Sequence, residues 1–81
     1  MTTAVRLRLL SRPGCHLCDE MALALRELGL PFERVDIEKN PGLEAEYSTA
    51  IPVLFHNDAE VARAPQSSRT LKRALQRAGV I

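Results

Sequence analysis

The chain opens on a strict alternation of apolar and charged positions, Val5-Arg6-Leu7-Arg8-Leu9, which predicts a strand with one buried face and one wetter face. Ser11-Arg12-Pro13-Gly14 then breaks the pattern with turn formers. From Cys15 the period becomes helical, and Leu17, Met21, Leu25 and Leu28 fall on one inward stripe. Asp19 and Glu20 in the first turn and Arg26 near the end suit the helix dipole, and Gly29 supplies the C-cap. Phe32 to Ile37 reads as a second strand, alternating Glu33, Val35 and Ile37 against Phe32, Arg34 and Asp36. Asn40-Pro41 marks the N-cap and first residue of a short helix with Leu43 and Tyr47 inward. Val53-Leu54-Phe55 follows Pro52 as an apolar strand, and Asn57-Asp58 turns the chain into a weak strand, Ala59 to Ala62. Ser67 or Ser68 caps a last helix with Leu71, Ala74, Leu75 and Ala78 inward, ended at Gly79.

The order is therefore β-α-β-α-β-β-α, an α/β fold. Its first β-α-β should be a right-handed parallel crossover, and its closing pair of strands an antiparallel hairpin. The 81 residues suggest one domain, 1–81, with a single thin core, because a chain this short buries only about 60% of the surface its unfolded form exposes. Hydrophobic residues make up 46% and charged residues 26%, which excludes disordered, coiled-coil and collagen-like classes. No apolar stretch approaches the roughly 20 residues of a membrane span. Arg6 and Arg8 interrupt the N-terminal run that a signal peptide would need. The expectation is a soluble, cytoplasmic domain without membrane contact.

Two cysteines are too few to staple a secreted mini-protein. Their spacing carries the chemistry instead. In Cys15-His16-Leu17-Cys18 the pair sits where a strand gives way to a helix. A helix N-terminus offers unpaired N–H groups and about half a positive charge, so a thiolate there is stabilised and nucleophilic near neutral pH. One helical turn brings the second sulfur within disulfide reach. Cys15, at the junction, is then the exposed nucleophile. Cys18, one turn in, is the resolving thiol that attacks the mixed disulfide and releases the substrate. Arg12 adds positive charge nearby, whereas Asp19 and Glu20 oppose the thiolate modestly. Structural zinc is the weaker reading, since it wants four ligands and only His16 and His56 accompany the cysteines. Two inert thiols on a small fold is the bland one. His16 reads as a solvated side chain and His56 as a surface residue.

Ser-Arg-Pro-Gly-Cys-His-Leu-Cys, with the later Ile51-Pro52 and the element order, resembles the glutaredoxin-like branch of the thioredoxin superfamily over nearly the whole chain. The resemblance is to short bacterial glutaredoxin-like proteins with a Cys-x-Leu-Cys-Asp-x-Met helix. It implies a thioredoxin-like fold: a four-stranded mixed sheet with the first and third helices on one face and the second on the other. It also implies a cis Pro52 facing the dithiol, an Ile51 backbone that pairs with a substrate or glutathione strand, and an Arg12 that contacts thiolate or glutathione carboxylate. No bound cofactor or metal is implied, and glutathione is one reductant the resemblance allows. This sequence departs from the glutathione-using pattern at Ala64-Pro65-Gln66-Ser67-Ser68, which lacks the Gly-Gly and the following acid. A reductase is the alternative electron source. The redoxins coupled to such a reductase usually carry a Trp-Ser-Gly-Phe-Arg-Pro stretch, and this chain has no tryptophan.

A net charge of +1 gives no bulk argument for nucleic acid or membranes. Charge is nevertheless uneven. Residues 33–60 hold two basic and seven acidic side chains, and residues 61–81 hold five basic and none acidic. Arg69, Arg73 and Arg77 form a stripe on the last helix with Lys72 beside it. A solvated helix face is one reading; docking to an acidic partner is the other, in a binding module without turnover. The expected partners are a disulfide-containing protein or glutathione and an unknown reductase, and the expected state is a monomer.

Overall fold

The computed structural model describes residues 6–63 and 67–81. Eight short segments follow one another: β1 (Leu7–Ser11), α1 (His16–Glu27), β2 (Glu33–Asp36), a 3-10 turn (Ile37–Lys39), α2 (Pro41–Tyr47), β3 (Val53–His56), β4 (Ala59–Arg63) and α3 (Ser68–Arg77). The strands form one sheet in the order β2-β1-β3-β4. β1 runs parallel to β2, with Leu9 opposite Arg34, and antiparallel to β3, with Leu10 opposite Val53. β3 and β4 form the antiparallel hairpin, closed through Asn57 at φ +56°. This is the thioredoxin-like arrangement.

Alternation along β1 explains how the sheet is covered. Leu7 and Leu9 face one side, where they pack with Met21, Ala22, Ala24 and Leu25 of α1, Leu54, Ala62, and Leu71 and Leu75 of α3. Leu10 faces the other side with Ile37 and Val53, flanked by Val35, Leu43, Tyr47 and Phe55. So α1 and α3 cover one face and α2 the other. The single thin core expected from chain length is instead two clusters, because a central strand with a helix on each side is buried on both faces.

Several local expectations shift for physical reasons. The first strand reaches Ser11, which pairs with Asp36, where a turn was expected; Leu10 has an apolar face of its own to bury. Val5, its expected start, and Ala64 to Gln66 lie outside the described residues. Leu17 is 46% exposed rather than inward. The buried stripe of α1 is Cys18, Met21, Ala22 and Leu25, so the cysteine, not the neighbouring leucine, begins it. The second strand stops at Asp36, whose carboxylate accepts the Glu38 N–H at 2.9 Å and turns buried Ile37 into the 3-10 segment. Ala78 is exposed as the C-cap of α3, and Val80 takes its inward place after Gly79 reverses the chain.

The predicted caps form. Asn40 Oδ1 accepts the Leu43 N–H at 3.2 Å ahead of Pro41, and Ser67 Oγ accepts the Thr70 N–H at 3.3 Å. After α1, Gly29 at φ +71° lets its own N–H reach the Arg26 carbonyl and the Leu30 N–H reach Leu25, the paired bonds of a Schellman cap. Among the described residues no helix is long and apolar enough to cross a membrane.

Candidate functional site

Pro13 and Gly14 aim the chain at the start of α1. The Cys15 N–H donates to the Arg12 carbonyl at 3.3 Å, with Pro13 second and Gly14 third in the four-residue turn. Gly14 has φ +76°, the positive value that the third position of a type II turn needs. A Cβ added there would meet nothing within 4 Å, so any cost of a side chain is backbone strain alone. Gly14→Ala should lower stability by about 1–2 kcal/mol, read as a lower urea midpoint with unchanged slope. A midpoint equal to that of the unsubstituted protein would show the turn relaxing freely.

This turn makes Cys15 the N-cap of α1. Its Sγ accepts the backbone N–H of Cys18 at 3.1 Å. A cap oxygen normally takes this bond; here a sulfur does, beside the positive end of the helix. Cys15 and Cys18 are disulfide-bonded, with Cα atoms 5.2 Å apart. Cys15 is half-buried, and Cys18 is fully buried at the head of the α1 stripe.

The other residues singled out from the sequence converge on this end of the sheet. The Ile51–Pro52 peptide is cis and Pro52 is fully buried. Because Leu10 pairs with Val53, one further step of the antiparallel ladder sets Pro52 beside Ser11, just ahead of the cysteine turn. Arg12 joins the two segments: its Nη2 donates to the Ser48 carbonyl at 3.2 Å, while its Nε is buried without a partner among the described residues. Sequence reasoning gave Arg12 to the thiolate or a glutathione carboxylate and did not foresee its bond to the segment before Pro52. The two contacting residues are 36 apart in sequence, beyond any local pattern.

The remaining charges are disposed around the helix start. His16 is highly exposed and lies 3.6 Å from Glu20, one turn along. Asp19 pairs with Arg34 of β2, Nη2 to Oδ1 at 3.1 Å. Arg34 escaped the sequence reading because its partner sits on a helix 15 residues away. Arg12, Gly14, Asp19, Arg34 and Asp36 help to line an open cleft of about 300 Å³ beside the cysteine turn. Among the described residues no three His, Cys, Asp or Glu side chains assemble into a metal site. At the start of α3 stand the hydroxyls of Ser67 and Thr70, with no acid in the first turn.

Comparison with known proteins places this geometry in a group. The family described as glutaredoxin-like domain (DUF836) matches residues 6–77. A structural-genomics target protein from X. campestris, known by X-ray structure, is 30% identical, covers 88% of this chain and 96% of its own, and superposes with a TM-score of 0.81. A Nitrosomonas europaea protein solved by NMR is 32% identical over 90% of this chain and 93% of its own, with a TM-score of 0.74. The glutaredoxin-like NrdH-redoxin of Escherichia coli, described as having a thioredoxin-like activity profile, is 21% identical. It covers 84% of this chain and 92% of its own with a TM-score of 0.66, a likeness of fold. No curated protein matches the chain significantly.

Proposed function

The chain belongs to the glutaredoxin-like domain family (DUF836), and from that premise we propose that it is a thiol–disulfide oxidoreductase working through Cys15 and Cys18. One observation supports this reading above the rest: the Cys15 sulfur is the N-cap acceptor of α1, bonded to a buried partner sulfur one turn in. The donor N–H and the helix dipole both favour negative charge on that sulfur, which lowers its pKa and makes it the attacking atom.

In the reduced protein the Cys15 thiolate attacks a substrate disulfide, and one substrate sulfur leaves as a thiolate. Cys18 then loses its proton and attacks the Cys15 sulfur of the mixed disulfide. The second substrate thiolate departs, and the Cys15–Cys18 bond forms. Two electrons have passed to the substrate, whose two thiolates take up two protons. Ile51 would present its backbone N–H and C=O to an extended substrate strand, with Pro52 closing the side of the dithiol, and Arg12 would hold the loop against the segment before Pro52. The substrate is a disulfide-containing protein or a glutathione disulfide, met by a monomeric single domain in a reducing, cytoplasmic compartment.

We favour a reductase over glutathione as electron donor. The start of α3 offers hydroxyls and backbone N–H groups for a carboxylate but no acid for a glutathione amino group. The deciding experiment is a redox titration of the dithiol run beside turnover with glutathione and with a thioredoxin reductase. The expected outcome is one reversible two-electron couple and faster turnover with the reductase. Absence of any couple would end the oxidoreductase reading. Faster turnover with glutathione would reverse only the choice of donor.

The alternative, a binding module, draws support from α3, where Arg69, Lys72, Arg73 and Arg77 are exposed and form no ion pair among the described residues. Equal partner affinity for the Cys15→Ser, Cys18→Ser double variant would favour it.

A further inference from the structure

Cys15 has a neighbour that its chemistry does not want. Asp19 follows it by one helical turn, and the Asp19 N–H donates to the Cys15 carbonyl at 3.1 Å. Side chains four apart on a helix rise about 5–6 Å from each other at Cβ. An unneutralised carboxylate at that range depopulates a thiolate by roughly threefold at the dielectric of water, and by more at the effective dielectric of a protein surface.

None of the other charges near Cys15 pairs with Asp19. Arg12 keeps its positive charge but gives its Nη2 to the neutral Ser48 carbonyl. His16 is solvated and faces Glu20 along the helix. Asp36, at the end of β2, is itself an acid, with its carboxylate on the Glu38 N–H. Arg34 remains. It stands opposite Leu9 in the sheet, so its side chain rises on the α1 face. From there it crosses to Asp19 at 3.1 Å, with its Nε 3.5 Å from Ser11 Oγ on the strand that leads into the cysteine turn.

We infer that Arg34 is a positioning residue of the dithiol: from β2 it holds the Asp19 carboxylate on its guanidinium, cancels that charge at the Cys15 sulfur, and thereby keeps Cys15 nucleophilic. The inference rests on the exchange reading of the Cys15–Cys18 pair. It assigns to an edge-strand arginine a function that its bond to an exposed carboxylate would not otherwise need, since an ion pair at this exposure adds little to stability.

The test is the titration of the reduced protein by thiolate absorbance, together with the rate of reaction with a small aromatic disulfide across pH. Arg34→Met should raise the Cys15 midpoint by about half to one pH unit, a three- to tenfold smaller thiolate fraction at neutral pH. Arg34→Lys, which keeps the charge, should stay near the parent. Asp19→Asn introduced into Arg34→Met should restore the midpoint, because both charges are then gone. At high pH, where every Cys15 is a thiolate, Arg34→Met should react about two- to threefold faster than the parent, since nucleophilicity rises with pKa. A purely structural defect would slow it at every pH. An Arg34→Met midpoint equal to the parent's, or no restoration by Asp19→Asn, overturns the inference. A parent midpoint near the free-thiol value of about 8.5 would instead remove the exchange reading beneath it.

Discussion

Cys15→Ser is expected to abolish reduction of every disulfide substrate, and Cys18→Ser to stop the same reaction halfway. The asymmetry follows from position. Cys15 caps α1 and its sulfur takes the Cys18 N–H at 3.1 Å, whereas Cys18 is 0% exposed at the head of the core stripe. Only the first can meet a substrate sulfur; the second can meet only the first. A serine at position 15 still caps the helix, because a hydroxyl oxygen is a normal acceptor there, so the variant should fold and its loss should be chemical. With serine at position 18 the first attack proceeds, no resolving thiolate follows, and a mixed disulfide accumulates. Mass spectrometry of the Cys18→Ser protein after incubation with a disulfide-bonded protein should show that adduct, and added dithiothreitol should release it. If Cys18→Ser forms no adduct while Cys15→Ser does, the two roles are reversed. If neither variant differs from the parent in turnover, the dithiol does not carry the reaction.

Leu25→Ala should produce a large loss of stability. Leu25 is 0% exposed and lies in the cluster that joins α1 to Leu9, Leu54, Leu71 and Leu75. Truncating a buried leucine costs about 2–5 kcal/mol, because apolar contact is lost and a cavity is left. Small domains have about 5–15 kcal/mol of stability in all. At about 4–8 °C per kcal/mol for a domain of this size, Tm should fall by roughly 8–40 °C. Leu23→Ala, on the same helix but 56% exposed, should move stability by no more than about 0.5 kcal/mol. Thermal unfolding followed by circular dichroism distinguishes the two. Equal shifts would mean that α1 does not bury the face described above.

Much of the molecule was legible in one dimension because its signals are local. The turn Arg12-Pro13-Gly14-Cys15, the caps at Asn40 and Ser67 and the stop at Gly29 each depend on residues within one turn of one another. The cysteine pair belongs with them: a spacing of three at a strand-to-helix switch is both a geometric and an electrostatic statement. Leu17 was misread because hydrophobicity alone ranks leucine above cysteine as a core residue. The rotation of α1 over the sheet buries Cys18 and leaves Leu17 46% exposed. Ser11 was misread because a polar residue before Pro-Gly looks like a turn, and its pairing with Asp36 shows only once β2 lies alongside.

The kinds of element, their order, and the thiol pair at a helix start all follow from side-chain periodicity and capping over a few residues. Tertiary structure alone decided what surrounds that pair. It split one expected core into two, because β1 has a helix on each side of it. It tied Arg12 to Ser48 across 36 residues, and Arg34 to Asp19 across 15. Neither contact leaves a trace in local pattern, since a long side chain finds its partner only after the sheet has brought distant backbone within reach. The Cys15 sulfur is placed by its own turn, whereas the charges around it are placed by the fold.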